Sequence, residues 1–201
     1  MPGAPAVTIG GRAVHGWNPA AYAELLGVTY KAPTQLSPKE LAARLDRILE
    51  FAGRLLAQVP DDKIMWTPPE RNRTLRQLGY HVFRLSLAFV DAMDRGEMPK
   101  AWLDELAPAE LATGPAISRY GELVRARLSG WFAGVGPDEF GRMLQIYYGP
   151  QSGHDLLERT TWHAAQHLRQ LYVLAERIGL KPRDPMPADQ FQGLPLPDAL
   201  W

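Results

Sequence analysis

Apolar residues along this chain recur every three or four positions in four long stretches. Leu41, Leu45, Ile48, Ala52, Leu55 and Val59 make the first stripe. It follows Ser37-Pro-Lys-Glu40, where a Ser cap, a Pro at the first helical position and a Glu at the third form a capping box. The spacing predicts a helix over about 38–58, ended by Pro60. Leu75, Leu78, Val82, Leu85, Phe89 and Ala92 predict a second helix over about 74–95, capped by Thr74 and closed near Gly96. Ile117, Tyr120, Val124, Leu128 and Trp131 predict a third over about 115–133. In the fourth, about 153–179, Leu157, Thr161, Ala164, Leu168, Leu171, Ala175 and Ile178 alternate four and three apart, the seam of a bundle helix. Leu156, Thr160, His163, His167, Gln170 and Leu174 form an adjoining line on that helix. Four such helices sharing one core predict a mainly all-α protein built on a four-helix bundle.

The remaining segments break this period. Val7 to His15 reads as two short strands around Gly10-Gly11, a pair suited to a tight hairpin turn. Asn18 and Pro19 open a short helix to Leu26, closed by Gly27. Residues 28–37 are a linker, and 61–73, with Pro68-Pro69, a loop. Lys100 to Gly114 is a connection with room for one helical turn. Arg142 to Tyr148, apolar and aromatic, reads equally as a strand or an extended linker, and its pairing with the N-terminal hairpin stays open. Residues 180–201 hold five prolines, and Leu194 to Trp201 is apolar enough to pack along the bundle. The expected organisation is an arm over 1–30, a bundle over 37–180 and a Pro-rich tail over 181–201 packed on that bundle.

Composition narrows the function classes. Lys and Arg number 22, as do Asp and Glu. No net field draws the chain to nucleic acid or an anionic membrane surface, so neither is an expected partner. Cysteine is absent, which removes disulfides, thiolate ligands and cysteine nucleophiles together. No apolar run reaches membrane-spanning length, and Met-Pro-Gly-Ala-Pro-Ala lacks the features of a signal peptide. A cytoplasmic location is the expectation.

The candidate chemistry lies on the fourth helix. His163 and His167 sit four apart, so their rings stack on one helix face and can converge on one metal ion. Two polar residues on a helix are the plainer reading of that pattern. His81, with Leu78 and Leu85 at helical spacing, faces the core edge as either a satisfied core histidine or a ligand. His154 is nine residues before His163, on the opposite side, and His15 lies at a strand end. Three neutral imidazoles with one open position suit Zn²⁺ or another divalent metal (Ni, Fe or Mn), and favour an anionic fourth ligand. Ala164 stands where a His-Glu-x-x-His protease would place its base. Asp91 and Asp155 lie too far along their helices for a two-histidine, one-carboxylate iron site. There is no Gly-rich phosphate loop and no nucleophile elbow. Arg84, Gln166 and Gln170 are placed to hydrogen-bond a ligand or simply to pack.

Leu-x-x-His81-Val-Phe, followed by Leu-x-Arg-x-x-Trp162-His-Ala-Ala-Gln-His-Leu-Arg-Gln-Leu171, resembles the DinB/YfiT-like superfamily over about residues 38–180. The resemblance implies an up-down-down-up bundle, often dimeric, with a divalent metal held by His81, His163 and His167. It also implies a small-molecule substrate, since characterised members include S-transferases and isomerases dependent on low-molecular-weight thiols. Ile9 to Pro19, with the helix after it, resembles the last hairpin and helix of a glutaredoxin, without that family's cysteine motif. The leading expectation is a metal-dependent thiol S-transferase, with Arg84, Arg159 or Arg169 binding the thiol's carboxylate and Gln170 a further ligand contact. The alternatives are a metal-dependent hydrolase of small amides or esters, for which Glu158 is poorly placed as a base, and a non-enzymatic metal-binding dimer.

Overall fold

The computed structural model describes residues 6–15, 18–31 and 34–200. Strands β1 (Ala6–Ile9) and β2 (Arg12–His15) form an antiparallel hairpin in which Ile9 pairs with Arg12. Gly10 and Gly11 turn it at φ of +54° and +79°, values that a side chain disfavours. Helix α1 (Pro19–Leu26) starts where the Asn18 side chain accepts from the Ala21 amide, and it ends at left-handed Gly27.

Four long helices follow: α2 (Pro38–Leu56), α3 (Leu75–Arg95), α4 (Gly114–Gly134) and α5 (Gly153–Arg177). Each begins at a capping side chain: Ser37, Thr74, Thr113 and Ser152 accept from their third helical amides. The capping box of α2 is complete, since the Glu40 carboxylate in turn accepts from the Ser37 amide at 2.9 Å. Helix α2 packs against α4 and α5, and α3 packs against the same two. Consecutive helices α2 and α3 therefore share a diagonal, and residues 57–74 span it. The core runs through the middle, with Leu41, Leu45, Ile48, Phe83, Phe89, Leu168 and Leu171 all almost fully buried.

The aromatic stretch after α4 is a strand. β4 (Met143–Ile146) runs parallel to β3 (Glu97–Met98) and antiparallel to β5 (Gly149–Ser152). The N-terminal hairpin is a separate two-stranded sheet and does not pair with it. Both edges of β4 are already taken by β3 and β5, and its faces alternate, with Leu144 and Ile146 buried while Met143 and Gln145 are exposed. The connection from 100 contains one 3-10 turn, Lys100–Leu103. Arg76 and Gln77 of α3 hold the rest of it by hydrogen bonds to the backbone of Glu105, Ala107 and Leu111.

Residues 181–200 lie along the bundle. The Arg44 guanidinium donates to the carbonyls of Gln190 and Gln192, the Tyr172 hydroxyl accepts from the Met186 amide at 2.9 Å, and Met186 and Leu194 are buried. The expectations for Trp201 and for the first five residues fall outside the described residues. Among the described residues, no helix is long and apolar enough to cross a membrane.

Three glycines let the helices close. A Cβ on Gly79 of α3 would meet the Leu56 side chain at 2.7 Å, and one on Gly121 of α4 would enter the Phe83 ring. At Gly114 the obstacle is the carbonyl oxygen of Leu56, which is backbone and has no rotamer to yield. Gly114→Ala should therefore destabilise the fold by about 1–3 kcal/mol, as overpacking does. At this chain length that is a fall in Tm of at least a few degrees. Thermal unfolding of the variant beside wild type checks it, and an unchanged Tm would mean that α2 and α4 can separate freely.

Candidate metal centre

Helix periodicity brings His163 and His167 to one face of α5, one turn apart. The packing of α3 on α5 then sets His81 against them. The ring centroids lie 4.3 Å apart for His163 and His167, 5.1 Å for His81 and His167, and 5.6 Å for His81 and His163. One nitrogen from each ring lies within 4.8 Å of the others. His81 is only 6% exposed and makes no hydrogen bond among the described residues. A satisfied core histidine would have a partner, so the plainer of its two readings loses its support.

The tautomer of His167 follows from its neighbour. Its Nδ1 lies 2.7 Å from Oε1 of Gln170, which can only accept, so Nδ1 carries the proton. The Gln170 amide nitrogen is turned the other way and donates to the Leu200 carbonyl at 2.7 Å. This leaves the Nε2 lone pair of His167 facing Nε2 of His163 at 3.1 Å. Two nitrogens each bound at 2.0–2.1 Å to one tetrahedral ion would stand about 3.3 Å apart, so this pair is nearly at the spacing a metal requires. Without an ion, His163 satisfies the contact by donating from Nε2.

Electrostatics hold all three rings in the form that binds metal. Burial drives His81 down to about 2, assisted by the charges of His167 and Arg73. Burial, then His167, His81, Arg159 and Arg73, keep His163 well below the usual histidine range. Burial brings His167 down to about 4, against the opposing hydrogen bond from Gln170, with Arg73 and Arg71 lowering it further. Neutral imidazoles are the ligating species, and no carboxylate belongs to the cluster. The donor set therefore fits a divalent ion of imidazole-binding character and leaves the ion's charge uncancelled.

Beside the cluster lies a cavity of about 290 Å³, whose wall includes His167, Gln170, Leu78 and Leu174. Its other side comes from the loop before α3: Pro68, Arg71, Asn72 and Arg73. Of the residues expected from sequence to bind a ligand, Gln170 reaches this wall. Arg84 does not; its guanidinium is committed to Glu105 at 2.9 Å and to Asp91 at 3.1 Å. Arg159 donates to the Tyr147 hydroxyl and covers the Tyr148 ring. Arg169 donates to Gln166 and to the Pro197 carbonyl, which ties down the tail. Glu158 and Asp155 accept from Gln35, and His154 meets the Leu36 carbonyl, all away from the cluster. The loop residues went unseen because loops carry no periodicity. The available signal was Arg71-Asn-Arg73 directly ahead of the cap of the helix that carries His81.

A family model described as the DinB superfamily matches residues 40–171. The chain belongs to the DinB superfamily. The crystal structure of YjoA, a DinB-like protein from Bacillus subtilis, is similar in fold, with a TM-score of 0.58 at 13% identity, over 70% of this chain and 93% of that one. No curated protein matches the sequence. The family and the fold agree on the bundle, and the three-histidine cluster of this DinB protein is a site that can hold a metal.

Two outcomes follow. Gln170 fixes the ring and tautomer of His167, so Gln170→Ala should weaken metal affinity by about 10- to 100-fold while leaving the fold intact. Competition with a chromophoric chelator measures it. Second, the depressed histidines bind fewer protons folded than unfolded below pH about 6.5. Their stabilisation is complete above that value and is lost as pH falls, for His167 through the window from about 6.5 to about 4. Metal-free wild type should lose more denaturant resistance between pH 7.5 and pH 5 than metal-free His81→Leu; equal losses would contradict the assignment.

Proposed function

We propose that this DinB protein is a divalent-metal-dependent thiol S-transferase, with zinc the best-suited ion. The observation that carries the proposal is a cluster of three neutral histidines that meets, at His167, a cavity whose wall has basic and amide side chains and, among the described residues, no carboxylate. A divalent ion held there would bind a small thiol as its thiolate and keep it nucleophilic at neutral pH. The chain's own residues do the rest. Gln170 holds His167 in the ligating tautomer. Leu78, Leu174 and Pro68 give the cavity an apolar wall that suits the methylene part of a small substrate. Arg73 places a positive charge on the cavity wall.

The same observation disfavours hydrolysis of amides or esters. That chemistry wants an acid or base beside the attacked carbonyl. The nearest helix-α5 carboxylates, Asp155 and Glu158, are occupied by Gln35 instead. Thiol transfer needs no such group, because the thiol gives up its proton on binding.

The test is elemental analysis of the purified protein followed by X-ray absorption with added small thiol. One metal per chain is expected, lost in His163→Ala with most helix content retained, and sulfur should enter the metal's shell when thiol is added. A shell of nitrogen and oxygen only, with thiol in excess, would overturn the transferase reading.

A further inference from the structure

The cavity beside the histidines contains an unmatched positive charge. Arg73 lines it and is half-buried, yet its guanidinium forms no hydrogen bond and no ion pair with any described residue. Asp104 acts on it only from beyond ion-pair distance, and Arg71 repels it. Burial lowers its pKa, the sign of a cation taken from water without a counter-charge. The other arginines around the core show what the fold does when it has a partner to offer: Arg84 takes Glu105 and Asp91, and Arg125 takes Asp46 through two bonds of 2.8 and 2.9 Å. Arg73 is near enough to the cluster that its charge depresses all three histidines. A divalent ion among those histidines would add to the same field, with no carboxylate among the described residues of the cavity wall to offset either charge.

We propose that Arg73, helped by the Asn72 amide, is the specificity determinant for a carboxylate at the far end of the small molecule whose other end faces the histidine cluster. This rests on reading the cluster as a metal centre. The guanidinium offers paired donors that match a carboxylate, in a wall that also supplies a second amide and an apolar stretch for the connecting methylenes. The substrate class is thus a metal-binding small molecule that carries a carboxylate, and on the transferase reading a thiol acid.

The test uses the zinc-loaded full-length protein and calorimetry, with two probe series. One is the ω-mercaptocarboxylates of two to five methylenes beside their primary amides. The other is the hydroxamic acids of the same lengths with a terminal carboxylate or a terminal amide. The acid should bind about tenfold or more tightly than its amide at the length that spans the cavity, the size of a hydrogen bond to a charged group. Arg73→Gln should bring the acid to the level of the amide, with zinc content and circular dichroism unchanged, and Arg73→Lys should restore part of the preference. Equal binding of acid and amide at every length in both series, or a preference that survives Arg73→Gln, overturns the proposal and leaves the transferase reading standing. Absence of thiol binding, with the hydroxamates still divided by Arg73, overturns the transferase reading and supports this one.

Discussion

Packing three imidazoles side by side between α3 and α5, with His81 buried and His163 and His167 half-buried, asks that all three stay neutral and that their ring nitrogens find partners. The molecule meets the first condition by desolvation, which holds His81, His163 and His167 all below the usual histidine range. It meets the second only in part. His167 has Gln170 on one nitrogen and His163 on the other, while His81 has no hydrogen-bond partner among the described residues. Its ring nitrogens keep some contact with solvent, since among the described residues the Tyr148 hydroxyl is the buried side-chain polar atom that lacks a partner. Close helix approach at Gly79 and Gly121 seats α3 against α2 and α4, and Gly114 does the same for α4 against α2. The site and the core therefore depend on the same packing. A change that lets α3 drift would cost stability and separate His81 from the α5 pair in one step.

Charge is distributed with the same logic. Most arginines on the bundle surface are committed. Arg84 and Arg125 meet carboxylates, Arg76 holds the connection before α4, and Arg44 and Arg169 hold the tail. Exposed pairs of this kind contribute little each, but their use decides which cations remain for a ligand. The carboxylates nearest the cluster in sequence are likewise drawn off, Asp155 and Glu158 by Gln35 and Asp91 by Arg84. Among the described residues, the side chains that face the cavity are positive or neutral, and that follows from where these carboxylates are engaged.

The helices were legible because their signals are local and redundant. Ser37 with Glu40, Thr74, Gly96 and Gly27 each fix an end through one hydrogen bond or one left-handed residue, and the apolar stripes fix the faces between. The histidine pair was legible for the same reason, since four residues on a helix is a distance in space. His81 needed more: residue spacing puts it at the core edge, and only the register of α3 against α5 turns its ring toward the pair. The positions of the arginine head groups were not legible because a long side chain ends far from its Cα. Helix angle put Arg84 and Arg159 near the mouth, but Glu105 and the Tyr147–Tyr148 corner take their guanidinium groups elsewhere. β4 was ambiguous because one of its partners, Glu97–Met98, is two residues long and distant in sequence, and the other, Gly149–Ser152, carries a Gly and a Pro that read as a break.

The C-terminal segment extends this point, because it belongs to the site despite having no periodicity. The Gln170 amide is a two-sided connector: its oxygen orders His167, and its nitrogen is held by the Leu200 carbonyl. Gln166 grips the carbonyls of Ala199 and Leu200, and Arg169 braces Gln166 while reaching Pro197. An amide free to rotate can present either its oxygen or its nitrogen to a ring, and only the oxygen selects the tautomer with Nε2 open. By engaging the nitrogen, the tail's backbone removes that choice. The orientation of a metal-facing histidine is thus set by a carbonyl some thirty residues away in sequence, through a single intervening side chain. The prolines of the tail serve the same end. Beyond the 3-10 turn Ala188–Phe191, they keep the chain out of a regular helix, so the carbonyls of Pro197, Ala199 and Leu200 remain available to accept from α5.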